Sequence, residues 1–468
     1  MPARSIWTVG CPRGSSTLKD AHVHFRTILA FGTLAFPIGM IALPVAIYLA
    51  PLYSGNLGIG LGVVGTALIA TRLLDFVTDP LIGIISDRWR PSIGRRRVWL
   101  IIGTLTLGGG IYMLFCPPPG INAVYFVVAV SFAYFGLTTV RLPYTAWAAE
   151  LSPDYHIRTK ISSTTQFFGI SGLLASTLIP TYLIAEYGAS PADIMRAIGW
   201  TIIILLPIMS TIVFFSVPEP KAPPKSRNFD FIAAAKMLAA NGPFVRLSLA
   251  GLVAGLGEAF RQSTTVFFAR DVVGLENIGQ VYFFYFTAGL IFVPAWAWLA
   301  KKIEKHNALI LSLLIVATTN GLMYFVSSGD IAAFYTLFIL KGLCFGGIVV
   351  LPYAMIADTV DVDTADTLDR QQGLFYSVEA MVAKLGSAVG AGLPLILLSI
   401  VGYNAAGETD PDALYSITVI YSVFPAAFVL IAAFMVRGYS LTEAKQRELR
   451  SQIEQKQADA SDEEPAKA

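Results

Sequence analysis

The sequence predicts an all-α protein that crosses a membrane about twelve times, as two halves of six helices each. Three observations predict it. Charged residues make up only 14% of the 468-residue chain and hydrophobic ones 55%, whereas a soluble chain is about one-quarter charged. The mean hydropathy is accordingly +0.64. The apolar residues come in runs long enough to span ~30 Å of hydrocarbon, among them "ILAFGTLAFPIGMIALPVAIYLA" and "IGWTIIILLPIMSTIVFF". Finally, "LPYTAWAAE" (142–150) and "LPYAMIAD" (351–358) each end a span with an apolar-Pro-Tyr element and place an acidic residue two turns later. They fall at the fourth span of each half, which makes the chain an internal repeat.

Hydropathy and breaker residues place the spans near 26–50, 61–85, 98–117, 122–150, 161–187 and 195–217 in the first half. The second half has them near 244–270, 278–301, 307–327, 331–358, 371–401 and 413–437. Residues 1–25 are expected to be a cytoplasmic segment; the stretch before residue 20 lacks the apolar core of a cleaved signal peptide. The first half then covers 26–217. A polar linker follows at 218–243, carrying "EPKAPPKSRNFDF", and the second half covers 244–437. The charged tail, 438–468, is expected to begin as a helix and end without structure.

Orientation follows from the basic residues. Arg88, Arg90, Arg95, Arg96 and Arg97 crowd the loop after the second span, and Lys301, Lys302 and Lys305 the loop after the eighth. The alternate loops "PLYSGNLGIG" and "CPPPGINA" have neither Lys nor Arg. The basic side is therefore expected to be cytoplasmic, with both termini inside a multi-pass protein of the cell (inner) membrane. The loops after spans two and eight also echo each other, "SDRWRPSIGRRRVWLI" against "AKKIEKHNALIL". Parallel six-helix repeats are the plan of the major facilitator fold, in which solute is held between the halves near the midplane.

The chemistry sits in few residues. "TRLLDFVTDPLIGIIS" (71–86) is apolar enough to cross the bilayer, yet holds Arg72, Asp75 and Asp79. A charged residue at the midplane costs roughly 2.5–3.5 kcal/mol on insertion scales. Spacings of three and four put all three on one helix face, and that face must line a polar interior. Pro80 cannot donate a backbone hydrogen bond, which leaves the Phe76 carbonyl without its helical partner. Two carboxylates, that carbonyl and the Thr78 hydroxyl place several hard oxygens in one short stretch, the ligands a monovalent cation requires. Two adjacent carboxylates also need a proton, a metal cation or a lysine between them. Other ionic groups at membrane depth are Arg141, Glu258, Arg261, Lys341, Glu379 and Lys384. Glu258 with Arg261 reads first as a structural pair.

Other function classes are not favoured. Cys11, Cys116 and Cys344 are too scattered for a disulfide framework or metal site. The four histidines fall in polar segments, so no nucleophile–base pair is available for an intramembrane enzyme. No cofactor, structural metal or nucleic-acid partner is expected, and the protein is expected to be a monomer in the lipid bilayer. A non-transporting sensor or scaffold is the alternative from another class.

"DFVTDPLIGIISDR…GRRRVWLI", "LPYTAWAAELSPDYHIRTKISS" and "QGLFYSVEAMVAKLGSA" resemble the glycoside–pentoside–hexuronide:cation symporters, the melibiose-permease-like branch of the major facilitators. The resemblance covers essentially all spans. It implies alternating access, with Na⁺ or H⁺ driving uptake of a small-molecule glycoside, pentoside or hexuronide. It implies that Asp75 and Asp79 match the family's cation-site aspartates and that Lys384 matches the eleventh-helix lysine facing them. "SDRWRPSIGRRR" looks like the cytoplasmic gate motif, with Asp87 and Arg88, Arg95, Arg96 and Arg97 as a latch expected to meet Asp358, Asp361 and Asp363.

Departures from the pattern fall in the sugar-anchoring positions. Sugar-transporting members carry an aspartate near the position of Gly39, an aspartate where this chain has Arg141, and an arginine where Gln166 aligns. A branch resembling sodium-dependent lysolipid carriers keeps the paired aspartates without the sugar residues, which makes an amphiphile the alternative solute. Arg141, Tyr144, Trp147, Gln166, Tyr376 and Glu379 are candidate cavity residues. Arg141 cannot shed its charge, so it is expected to pair with Glu379 or with an anionic solute.

Overall fold

The computed structural model describes residues 24–152, 155–219, 231–367, 372–405 and 410–463. Most of the expected N-terminal segment, residues 220–230 of the linker and the last five of the tail lie outside them. Among the described residues, twelve helices are long and apolar enough to cross a membrane. In the first half these are α1 (Phe25–Ile47), α2 (Leu61–Arg88), α3 (Arg97–Phe115), α4 (Ala123–Glu150), α5 (Ile157–Tyr187) and α6 (Pro191–Ser216). In the second they are α7 (Gly242–Val273), α8 (Ile278–Ile303), α9 (Lys305–Phe325), α10 (Ile331–Ala365), α11 (Gln372–Ile400) and α12 (Pro411–Val436). Part of the expected linker is itself helical, Phe231–Ala240, and the tail forms α13 (Glu443–Glu463).

Loop chemistry sets the helix starts. Asn122, Asn241 and Asn277 each accept a backbone N–H from the first turn of α4, α7 and α8. Ser190 and Asp193 form a reciprocal capping box at α6, with Pro191 in the first turn. These caps satisfy donors that an apolar bilayer edge would leave orphaned.

The halves touch most closely away from the arginine-rich loop. There α2 and α11 cross at Gly65 and Gly392, so close that a Cβ on either would strike the other's carbonyl oxygen. A Cβ on Gly62 would lie 3.1 Å from Ser399 Oγ, and one on Gly279 of α8 would lie 2.9 Å from the Thr177 carbonyl of α5. Asn277 also donates to the Thr181 carbonyl at 3.3 Å. One apolar cluster runs through both halves at this end and includes Tyr48, Tyr53, Phe267, Tyr282 and Leu395. A separate cluster, with Phe244, Leu309, Met355 and Phe375, packs the arginine-rich end of the second half and takes in Leu449 of α13.

Candidate functional site

Asp75 is 3% exposed, and its Oδ2 accepts from Arg72 Nη1 at 3.4 Å. The guanidinium lies over the Tyr134 ring, 4.0 Å from its centroid. One turn on, Asp79 Oδ2 accepts from Lys384 Nζ, an ion pair that bridges α2 and α11 across the two halves. The other oxygen, Asp79 Oδ1, is buried with no hydrogen-bond donor among the described residues. Thr78 is half-buried one residue away. Two carboxylates thus balance two cations, with one carboxylate oxygen unsatisfied. A buried acceptor without a donor carries a desolvation cost of about 1–3 kcal/mol, which a cation would relieve.

Arg141 belongs to the same layer. Thr71 Oγ1 and Ser131 Oγ lie 3.4 Å apart, and Arg72 meets Tyr134, so α2 and α4 run side by side in one direction. The same register puts Arg141 level with Asp79. Its side chain is exposed and has no ion pair or hydrogen bond among the described residues. The expected contact with Glu379 is not made. Glu379 turns to α7 of its own half, where its Oε1 would meet a Cβ on Gly251 at 3.2 Å. Its Oε2 is buried near Ser248, also of α7, with no hydrogen bond of normal geometry among the described residues. Gln166 on α5 is exposed, with no partner among the described residues.

The aromatic candidates divide. Tyr144 stacks on Phe31 with centroids 4.4 Å apart and donates to the Phe31 carbonyl at 2.7 Å. Trp147 packs edge-on to Phe31 at 6.0 Å and donates to the Pro218 carbonyl at 3.2 Å. Both rings are buried between helices of the first half and offer no face to a solute, which corrects the cavity reading. Tyr376 stays half-buried, stacked on Tyr353 at 6.3 Å and donating to its carbonyl at 3.1 Å.

The latch arginines also differ from expectation. Arg95 donates to Glu150 at 2.6 Å and to Asp87 at 3.3 Å. Arg96 donates to Glu150 at 2.6 Å, to Asp87 at 2.8 Å and to Ser86 at 3.1 Å. Arg97 bonds the Val217 carbonyl at 3.0 Å, and Arg88 is exposed. In the second half, Asp358 binds Lys305 at 2.5 Å and also Gln446, while Asp361 accepts from Arg450 of α13 at 3.2 Å. Each of these pairs stays within one half or joins it to the tail, so in this conformation the arginines do not meet Asp358 or Asp361. Glu150 and Asp358 lie about two turns past the Leu-Pro-Tyr elements of the internal repeat, one residue apart in register, and each takes a cation from the segment that follows the second helix of its half.

The family model described as MFS/sugar transport protein matches residues 30–443. The chain belongs to the glycoside–pentoside–hexuronide symporter family. An uncharacterized symporter, sll1374, of Synechocystis sp. is 24% identical, covering 95% of this chain and 99% of its own. The glucuronide carrier protein homolog of Escherichia coli is also 24% identical, covering 93% and 96%. Among solved structures, a bacterial homolog of the human lysosomal transporter Spinster superposes with a TM-score of 0.64 at 13% identity, covering 89% and 99%. That likeness is one of fold. The protein is thus a major facilitator symporter and not an enzyme.

For this symporter the glycine at position 39 has a steric cause. A Cβ there would collide with the Gly169 backbone of α5, whose carbonyl carbon would lie 2.9 Å away. The α1–α5 contact leaves no room for any side chain, so an acidic residue at that position is impossible without moving a helix.

Proposed function

We propose that the protein couples a monovalent cation, Na⁺ or H⁺, to uptake of a small sugar-type solute bearing an anionic group, a hexuronide above all. The observation that carries this is the divided state of Asp79, with one oxygen held by Lys384 of the opposite half and the other buried without a donor. A cation seated on Asp79 Oδ1 beside Asp75 competes with Lys384 for the same carboxylate. Its arrival weakens the tie between α2 and α11, and its departure restores it. That competition makes cation occupancy and the relation between the halves one equilibrium. A membrane potential supplies roughly 2.3 kcal/mol per charge per 100 mV.

An unpaired guanidinium level with Asp79 supports an anionic solute, because Arg141 keeps its charge at membrane depth and needs an anion there. The name of the Escherichia coli relative, a glucuronide carrier protein homolog, agrees with that chemistry. The basic loops, and loop arginines that bond only within their own half, support an inward-facing state in the inner membrane, with both termini cytoplasmic.

The test is uptake by reconstituted vesicles under an imposed Na⁺ or H⁺ gradient, comparing a phenyl glucuronide, the matching neutral glucoside and a lysophospholipid. Accumulation of the glucuronide above the glucoside, lost in Asp79→Asn, is expected. Accumulation of the lysophospholipid alone would move the protein to the amphiphile branch, and gradient-independent equilibration of all three would remove the coupling.

A further inference from the structure

The second half holds another ionic cluster, which the Asp75–Asp79 site does not use. Glu258 and Arg261 come from α7, Lys341 from α10, and Asn320 from α9. Arg261 donates to Glu258 through Nη2 at 2.6 Å and Nε at 3.3 Å, and Lys341 Nζ donates to Glu258 Oε2 at 2.6 Å. Lys341 also donates to Asn320 Oδ1 at 3.1 Å, Arg261 Nη1 to Thr265 at 3.3 Å, and Gln262 to Glu258 at 3.1 Å. Arg261 is 1% exposed and Lys341 2%.

One carboxylate stands between two cations, so with every group charged the cluster carries one excess positive charge inside a membrane bundle. Such a charge costs several kcal/mol unless an anion or a neutralisation removes it. The neighbouring groups do not supply an anion. Facing the cluster are Tyr282 and Tyr285 of α8, Tyr421 of α12, and Cys344 beside Lys341 on α10, all neutral in their ordinary state. Phe338 covers Arg261 at 4.8 Å. An added anion finds few free donors, because each Arg261 nitrogen already serves a protein acceptor. The small ligand that fits is a proton.

The geometry points to Lys341, with Glu258, as a proton-binding site of the second half, separate from the aspartate site. Arg261 cannot give up a proton under biological conditions; Lys341 can. The hydrogen-bond count agrees. Nζ makes two bonds here, to Glu258 and Asn320, and a neutral amine has two N–H donors for them. The third ammonium proton has no acceptor among the described residues. Asn320 can track the change: its Nδ2 is buried without an acceptor among the described residues, and turning the carboxamide exchanges the bond Oδ1 accepts from the ammonium for one Nδ2 donates to the amine lone pair. The proton leaves from Nζ to a Glu258 oxygen and from there to water, since Glu258 is the member with solvent exposure, its side chain being 22% accessible. The balance is one proton per cluster, Lys341–NH₃⁺ giving Lys341–NH₂ and H⁺. Its use in transport rests on the symport reading above, but proton binding can be measured without any solute.

Purified protein in vesicles on a supported membrane, subjected to an alkaline-to-acid jump with no solute present, gives a direct readout as displaced charge. The wild type is expected to show a transient displacement. Lys341→Arg keeps the charge but cannot release a proton, so its displacement should fall clearly below that of the wild type, as should that of Lys341→Met, with any remainder coming from the aspartate site. Size-exclusion profile and thermal melting show which variants are folded, and Lys341→Arg serves if the apolar variant is not. Asp79→Asn should lose gradient-driven uptake yet keep the displacement, which separates this site from the aspartates. No displacement in the wild type, an undiminished displacement in folded Lys341→Arg, or its complete loss in folded Asp79→Asn each overturns the assignment.

Discussion

Arg450 of the tail helix donates to Asp361 at 3.2 Å, so the acidic run closing α10 is bound by the chain's own C-terminal segment. Gln446 reaches Asp358 from the same helix, and Leu449 is buried against the second half. The carboxylates expected to receive the loop arginines therefore already have partners. Replacing Arg450 and Gln446 by Ala should remove the tail's share of these contacts, with Lys305 still on Asp358, and favour the approach of the exposed Arg88. The expected result is lower cysteine accessibility at the arginine-rich ends of α4 and α10, corresponding to surface-type pairs of ~0.2–1 kcal/mol each. Unchanged accessibility would show that the tail does not compete for these groups.

Arg96 and Arg88 make opposite predictions although they share one loop. Arg96 is nearly buried against Glu150, Asp87 and Ser86, and its loss leaves Glu150 and Asp87 to share Arg95 alone. Arg96→Gln should destabilise the first half by roughly 1–3 kcal/mol, the scale for hydrogen bonds lost at a charged group. Arg88→Gln should stay within about 0.5 kcal/mol. Denaturant or thermal unfolding in detergent measures both, and equal effects would contradict the packing.

Asp79 and Lys384 should behave as a pair. Lys384→Met leaves Asp79 unpaired at depth, and Asp79→Asn leaves the lysine so. Each single change should cost roughly 1–3 kcal/mol of stability, and the double change should recover part of it. Uptake should be absent in Asp79→Asn and in the double variant even where stability returns. Additive destabilisation would mean that the two side chains do not meet in the membrane.

Arg141→Gln isolates the solute charge. Binding of a glucuronide should weaken by about 2 kcal/mol, as for a lost charge-assisted hydrogen bond, with the neutral glucoside little changed. Equal losses for both, measured by ligand-dependent thermal shift, would make Arg141 a positioning residue with no part in recognising charge.

Topology has a direct check. Reporters fused near residues 92, 222 and 304 should report cytoplasm, and those near 56, 119 and 407 the outside. A reversed result at two of these sites would invert the orientation inferred from the basic loops.

Parts of this arrangement were legible in the amino-acid order because they are local. Arg72 and Asp75 lie three apart, and helix period alone puts them together. Glu150 carries a sequence signal too, since an acidic residue follows each Leu-Pro-Tyr element by about two turns, yet its role as the acceptor for Arg95 and Arg96 emerges only from the fold. Lys384 was matched to the aspartates by resemblance alone, because no periodicity links helices about 300 residues apart. Tyr144 and Trp147 misled because an aromatic at helical spacing looks the same whether it faces a cavity or a neighbouring helix. The docking of α13 was hidden by its composition: Leu449 and Ile453 are few apolar residues in a charged stretch.

The glycine crossing of α2 and α11 gives the bundle a lever arm. Asp79 lies about 21 Å along α2 from Gly65 at 1.5 Å per residue, and the two backbones are locked together at the Gly65 end. A relative tilt of only about 10° about that fulcrum would carry Asp79 some 3–4 Å sideways at the far end of such an arm. That is more than a hydrogen bond tolerates. The salt bridge therefore acts as a goniometer for the molecule, intact over a narrow angular range and severed outside it. Shortening the arm by moving the glycine contact one helical turn toward Asp79 would widen that range and blunt the response of the ion site to helix tilt.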